Sequence, residues 1–202
     1  MATEIELKAW VSDPPGLRAK LANLAAFRGT FEKNDIFFIR PGSDLPNPGP
    51  QNPPAIAGNP CYGVRIRQET FTGLDGIAKQ VILVTQKSKV IQNGIEVNDE
   101  REFEVSSSPV FEEFLTFLGF IERIRKRKKG SSYENDGMTV ELTEVEGLGW
   151  FIELEILMPV NDEQKIEHEK EKLLCFLDRL EIPRESIESR SYTSMLAEKP
   201  EA

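Results

Sequence analysis

The residues able to do chemistry in this 202-residue chain come in sets spaced two apart. Glu4, Glu6 and Lys8 stand in EIELK, Arg65 and Arg67 in VRIR, and Thr85 and Lys87 in TQK. Glu100, Glu102 and Glu104 stand in EREFE, and Glu153 and Glu155 in IELE. A β-strand sends successive side chains to opposite faces, so this spacing gathers each set on one face. The alternate positions are apolar: Ile5 and Leu7, Val64 and Ile66, Phe103 and Val105, Ile152 and Leu154. Any one such strand is what a sheet shows to water. Charges of both signs, repeated at this spacing along the whole chain, also fit a sheet closed into a barrel whose polar faces line the interior. Interior charges are costly unless they pair or bind something. Carboxylates facing Lys and Arg suit a polyphosphate bridged by a cation, with carboxylate oxygens on Mg²⁺ or Mn²⁺ and guanidinium and ammonium groups on phosphate oxygens. The set holds no nucleophile, so catalysis would rest on positioning and charge neutralisation.

The elements that must position these residues read as an α+β chain. Alternation predicts strands over 3–11, 34–40, 62–71, 79–88, 98–106, 121–129, 138–145 and 150–158. Three helices interrupt them. Asp13 followed by Pro14 and Pro15 starts the first, with Leu17, Leu21 and Leu24 at helical spacing and Gly29 as its stop. Ser108-Pro109 opens the second, which carries Phe111, Phe114, Leu115 and Leu118 up to Gly119. The third starts near Asn161, with Gln164 as capping-box partner, and ends before Pro183. Several strands follow one another without a crossover helix, so the sheet is expected to be antiparallel. Residues 41–60 hold seven prolines and three glycines and read as a long loop. With no repeat and no linker, the expectation is one domain over 1–202.

A net charge of -9 argues against a nucleic-acid backbone as partner. Two cysteines, Cys61 and Cys175, without a CxxC or a nearby histidine, suggest a reduced cytoplasmic setting without a thiol-metal site. No run of eighteen apolar residues and no signal-type start is present, so neither a membrane nor secretion is expected. The lone histidine, His168, falls in a charged helical stretch and reads as surface.

Taken in order, these motifs resemble the CYTH proteins, the triphosphate tunnel metalloenzymes. EIELK is similar to the ExExK signature of that family, and NDIFF (34–38), VRIR (64–67), TQK (85–87) and EFE (102–104) follow in family order. EVEGLGWFIELE (144–155) resembles the family's later acidic strand, and SRSYTSML (189–196) resembles the tail of the class IV adenylyl cyclase branch. The resemblance implies a closed eight-stranded antiparallel barrel with helices outside, a triphosphate substrate such as ATP, and Mg²⁺ or Mn²⁺. It implies metal ligation by Glu4, Glu6, Glu153 and Glu155, with Glu102 and Glu104 nearby, and phosphate binding and catalysis by Lys8, Arg65, Arg67 and Lys87. In the basic run IRKRKK one register turns Lys126 and Lys128 inward and a one-residue slip turns Arg125 and Arg127 inward. Where the family often has Asp, this chain has Thr143, with Glu141 two residues away on the same face.

Two reactions fit such a tunnel: cyclisation of ATP to cyclic AMP and pyrophosphate, toward which the tail leans, or hydrolysis of thiamine triphosphate or tripolyphosphate. A non-catalytic polyphosphate binder is a third reading. The partner expected is a small-molecule triphosphate, with no nucleic acid and no membrane, and with room for a homodimer.

Overall fold

The computed structural model describes residues 2–41, 63–92, 94–158 and 163–198. Eight strands form a closed antiparallel barrel in the order β1-β5-β4-β3-β2-β6-β7-β8. They are β1 (Ala2–Trp10), β2 (Ala26–Ile39), β3 (Gly63–Gly73), β4 (Ala78–Gln92), β5 (Ile95–Glu104), β6 (Ile121–Asn135), β7 (Met138–Val145) and β8 (Gly149–Met158). The helices are α1 (Pro14–Leu24), α2 (Ser108–Phe117), α3 (Glu163–Arg179) and a short α4 (Tyr192–Ala197).

Local chemistry explains the helix starts. The Asp13 carboxylate accepts from the Gly16 amide at 3.0 Å, and the prolines that follow occupy positions with no intrahelical donor to lose. Ser107, one residue earlier than the sequence suggests, caps α2 through the Val110 amide. Asn161, expected to start the third helix, lies outside the described residues, as does all but Pro41 of the stretch 41–60 expected to be a loop.

The first helix stops at Leu24 rather than at Gly29, and the chain turns directly into β2. Gly29 therefore sits within a strand, at φ 152°, where a Cβ would lie 2.2 Å from the Thr72 carbonyl oxygen of β3. It serves a close approach of two backbones, not a helix end. Gly29→Ala should cost about 1–3 kcal/mol by overpacking. An unchanged urea midpoint would show that the strands can separate without cost.

The aliphatic faces of β1, β7 and β8 point outward. Ile5, Leu7, Val140, Leu142, Ile152 and Leu154 pack beneath Leu17 and Leu21 of α1 and Leu173 and Leu177 of α3. Burial of each such side chain is worth about 1.5–3 kcal/mol, which makes this outer layer the main hydrophobic core. A second cluster places Leu115 of α2 over Ile36, Phe38 and Ile66. Because the apolar residues are committed outward, alternation turns the charged ones inward.

Candidate active site

The barrel encloses a cavity of about 820 Å³. Glu4, Glu6, Lys8, Arg65, Arg67, Lys87, Glu102, Lys126, Lys128, Glu153 and Glu155 all line it. Glu104 does not: it lies exposed at the end of β5 opposite Leu83, and Glu100 lines the wall instead. The register of β6 is settled as well. Lys126 and Lys128 are buried opposite Asp35 and Lys33, while Arg125 and Arg127 face solvent.

Three ion-pair networks hold the wall. In the first, Asp35, 1% exposed, accepts from Arg67 Nε at 2.7 Å and Nη2 at 3.0 Å, and pairs with Lys126 Nζ at 2.8 Å. Burial alone would raise the Asp35 carboxyl, but Lys126 and Arg67 outweigh it and hold the group well below its ordinary value. Burial drives Lys126 down to about 8, against Asp35 and with help from Lys128 and Arg67.

In the second network Lys128 donates to Glu153 at 2.7 Å and to Glu141 at 3.3 Å, and Lys33 donates to Glu141 at 2.6 Å. Burial opposes ionisation of Glu141, but Lys33 and Lys128 bring it down to about 2. The Tyr192 hydroxyl, at the start of α4, donates to Glu153 Oε1 at 2.8 Å. The Tyr192 ring lies 5.6 Å from the Lys8 ammonium and 5.2 Å from that of Lys126. The tail thus enters the barrel, where Tyr192 packs with Phe151 and Met195.

In the third network Lys87 donates to Glu4 at 2.8 Å and to Glu6 at 3.4 Å. Arg65 donates to Thr85 at 3.0 Å and to Glu100 at 3.1 Å, and the Thr85 hydroxyl donates to Glu102 at 2.8 Å. Burial pushes Glu4 up to about 10 despite Lys87, and Glu6 and Glu155 add to the rise. Burial, then the charge of Glu6, pushes Glu155 up to about 7. Lys8 stands apart and donates to Glu96 at 2.9 Å.

Sequence reasoning did not place Lys33, Glu69, Glu96 or Tyr192 in the site, yet all four line the cavity. A signal existed for Lys33, which is two residues before Asp35. Starting the strand at 34 concealed it. Tyr192 lies on a helix too short to show a period.

The acidic wall bears on metal binding. Among the described residues no three His, Cys, Asp or Glu side chains are already gathered as a metal site. Lys87 instead serves as counter-charge to Glu4 and Glu6. The donor set consists of oxygens, which hard divalent cations prefer. Added positive charge beside Glu4, Glu6 and Glu155 would also offset the burial and the neighbouring negative charge that raise two of these groups. These residues fit such a cation.

A sequence model of the CYTH domain matches residues 2–192. With its closed antiparallel barrel and charged bore, the chain belongs to the CYTH family of triphosphate tunnel metalloenzymes. The PH1819 protein of Pyrococcus horikoshii OT3 is similar at 27% identity, with 98% of this chain and 99% of that chain covered and a TM-score of 0.75. A candidate adenylate cyclase from Vibrio parahaemolyticus shares the fold at 17% identity, covering 96% and 97% of the two chains with a TM-score of 0.67. HpAC1 from Hippeastrum, a candidate adenylyl cyclase described as having a dominant triphosphatase activity, shares it at 18% identity, covering 98% and 95% with a TM-score of 0.58. No curated protein matches the sequence. Among the described residues no helix is long and apolar enough to cross a membrane.

Proposed function

We propose that this protein is a divalent-metal-dependent enzyme that converts ATP to cyclic AMP and pyrophosphate in the barrel. The supporting observation is that one cavity joins cations and carboxylates to apolar wall. Phe37, Ile39, Ile91, Ile124 and Leu157 line it together with the charged residues. A bare polyphosphate has no use for that apolar surface, whereas the nucleoside of a triphosphate ester does. The tail whose sequence leans toward the cyclase branch contributes Tyr192 to the same cavity.

Arg65, Arg67, Lys87, Lys126 and Lys128 would bind phosphate oxygens, the arginines with forked geometry, and Lys8 would add a further ammonium. Glu4, Glu6, Glu153 and Glu155, with Glu102 close by, would hold Mg²⁺ or Mn²⁺, which when bound supplies charge neutralisation to the phosphate oxygens. In cyclisation the ribose 3′-oxygen bonds to the α-phosphorus and gives up its proton, which leaves with the pyrophosphate or to solvent. The bond from that phosphorus to the bridging oxygen breaks, and pyrophosphate leaves. The chain's part is to hold the hydroxyl and the triphosphate in line, where proximity replaces a protein nucleophile.

Hydrolysis is the second reading, and one observation favours it. Glu155, pushed to about 7, could take a proton from water near neutral pH. Incubation with Mn²⁺ and, separately, ATP, thiamine triphosphate or tripolyphosphate decides between them. Cyclic AMP from ATP is expected. Orthophosphate from tripolyphosphate or thiamine triphosphate, with no cyclic nucleotide, would replace the first reading by the second.

Arg65 provides a separate check on phosphate binding. Arg65→Ala should weaken triphosphate binding by about 1.5–3 kcal/mol, the loss of one charge-assisted contact. Calorimetric titration with a non-hydrolysable ATP analogue reads this directly, and unchanged affinity would remove Arg65 from the phosphate site.

A further inference from the structure

Asn98 is 1% exposed, yet among the described residues neither its amide oxygen nor its amide nitrogen has a hydrogen-bond partner. It stands on β5 directly across from Glu4 of β1. It shares its face with Glu96 and Glu100, two residues to either side, and both line the cavity. Alternation therefore puts its side chain on the inner face of the wall, packed behind the cavity lining at the position paired with Glu4, whose carboxylate Lys87 contacts at 2.8 Å.

A buried primary amide with both ends unmet is an expensive way to build a barrel wall, and most buried amides are paired. Leucine at the same place would fill similar space without that cost. The position makes chemical sense if something absent from the free chain meets the amide. By register its direct neighbours are Glu4 on β1 and Lys89 on β4, with Glu6 and Lys87 one step along the same faces and Glu100 two residues on. A carbonyl oxygen beside carboxylate oxygens is a ligand type that divalent cations accept, and it adds no negative charge to a crowded wall.

We propose that the Asn98 amide oxygen is a ligand of the divalent cation on the Glu4 wall, a neutral member of an otherwise carboxylate set. This rests on the metal-dependent reading above and extends it to a residue that none of the motifs contains.

The test is Mn²⁺ binding to the metal-stripped full-length chain, followed by electron paramagnetic resonance of free Mn²⁺ without substrate. Asn98→Leu should fold, with a melting temperature in chelator at least equal to that of the parent, and should bind Mn²⁺ about 10–100-fold more weakly. Asn98→Asp keeps an oxygen at the position and should bind Mn²⁺ at least as tightly as the parent. Unchanged affinity in Asn98→Leu overturns the proposal. So does equal weakening in both variants, because that outcome assigns the amide nitrogen or the packing as the important part. If Asn98→Leu fails to fold, Asn98→Ala takes its place, with weaker Mn²⁺ binding in support and unchanged affinity against. A parent chain that binds no Mn²⁺ defeats both this proposal and the metal-dependent reading. Mn²⁺ binding that depends on Asn98, in a protein that turns over no triphosphate, leaves this proposal standing and defeats only the reaction.

Discussion

Asp35→Ala is expected to lower folding stability by about 3–5 kcal/mol at neutral pH. Asp35 is the shared counter-ion of Arg67 and Lys126, which meet it at 2.7 Å and 2.8 Å. Both cations are buried in the wall, and neither can leave for water when the carboxylate goes. The loss is thus the penalty of two uncompensated charges rather than the worth of one salt bridge. It depends on pH in a definite sense. In the unfolded chain Asp35 ionises near 3.8, and in the barrel it does so well below that. Its contribution is fully present above the unfolded value and is lost as pH falls through the folded one. Urea unfolding at pH 7.5 should show the full gap between the two proteins, and the gap should narrow below about pH 3.8. A gap under about 1 kcal/mol at neutral pH would mean that the two cations find other partners, and the first network would not be a structural unit. Ligand behaviour should change too, since Arg67 and Lys126 are proposed to bind phosphate.

The second large effect is on turnover. Glu155→Gln should reduce metal-dependent kcat/KM by about 100-fold or more, equivalent to about 2.7 kcal/mol of transition-state stabilisation. It should not reduce stability. Glu155 faces Glu6 directly across the β1–β8 ladder, and burial together with that charge raises its carboxyl to about 7. At pH 8 the folded protein therefore carries this carboxylate under strain, a cost absent from the unfolded chain. A neutral amide of the same shape removes the repulsion and also removes a proposed cation ligand. Melting temperature at pH 8 in chelator should be unchanged or higher, while the Mn²⁺ concentration for half-maximal activity rises. Full turnover with an unaltered Mn²⁺ requirement would remove Glu155 from the metal site. A large fall in melting temperature would show that its charge is needed for the fold.

Residues at each place show what could be read without coordinates. The strand alternation was legible because it is local. Ile5 and Leu7 had to face a core, so Glu4, Glu6 and Lys8 had to face away from it, and the same held for Arg65 and Arg67 around Ile66. The cap of α1 was legible for the same reason, since Asp13 meets an amide only three residues on, whereas the cap of α2 falls on Ser107, one residue before the Ser108-Pro109 start that the sequence suggests. The end of α1 was not. Leu24 continues the helical spacing, and only the pairing of Gly29 with Gly73 across the β2–β3 ladder shows that a strand has already begun.

By itself the sequence determined the α+β class, eight strands, the inward side of most of them and a bore that mixes acid and base. Tertiary structure alone decided which charges meet. Lys33 reaches Glu141 across 108 positions, and Tyr192 reaches Glu153 across 39. It also decided the inward half of IRKRKK, where Lys126 is drawn in opposite Asp35 and Arg125 turns out to Glu122. The physical reason is that a period of two specifies a face but not a neighbour. Neighbours follow from barrel closure, and in a closed bore each buried charge is stable only where that closure brings it an opposite one.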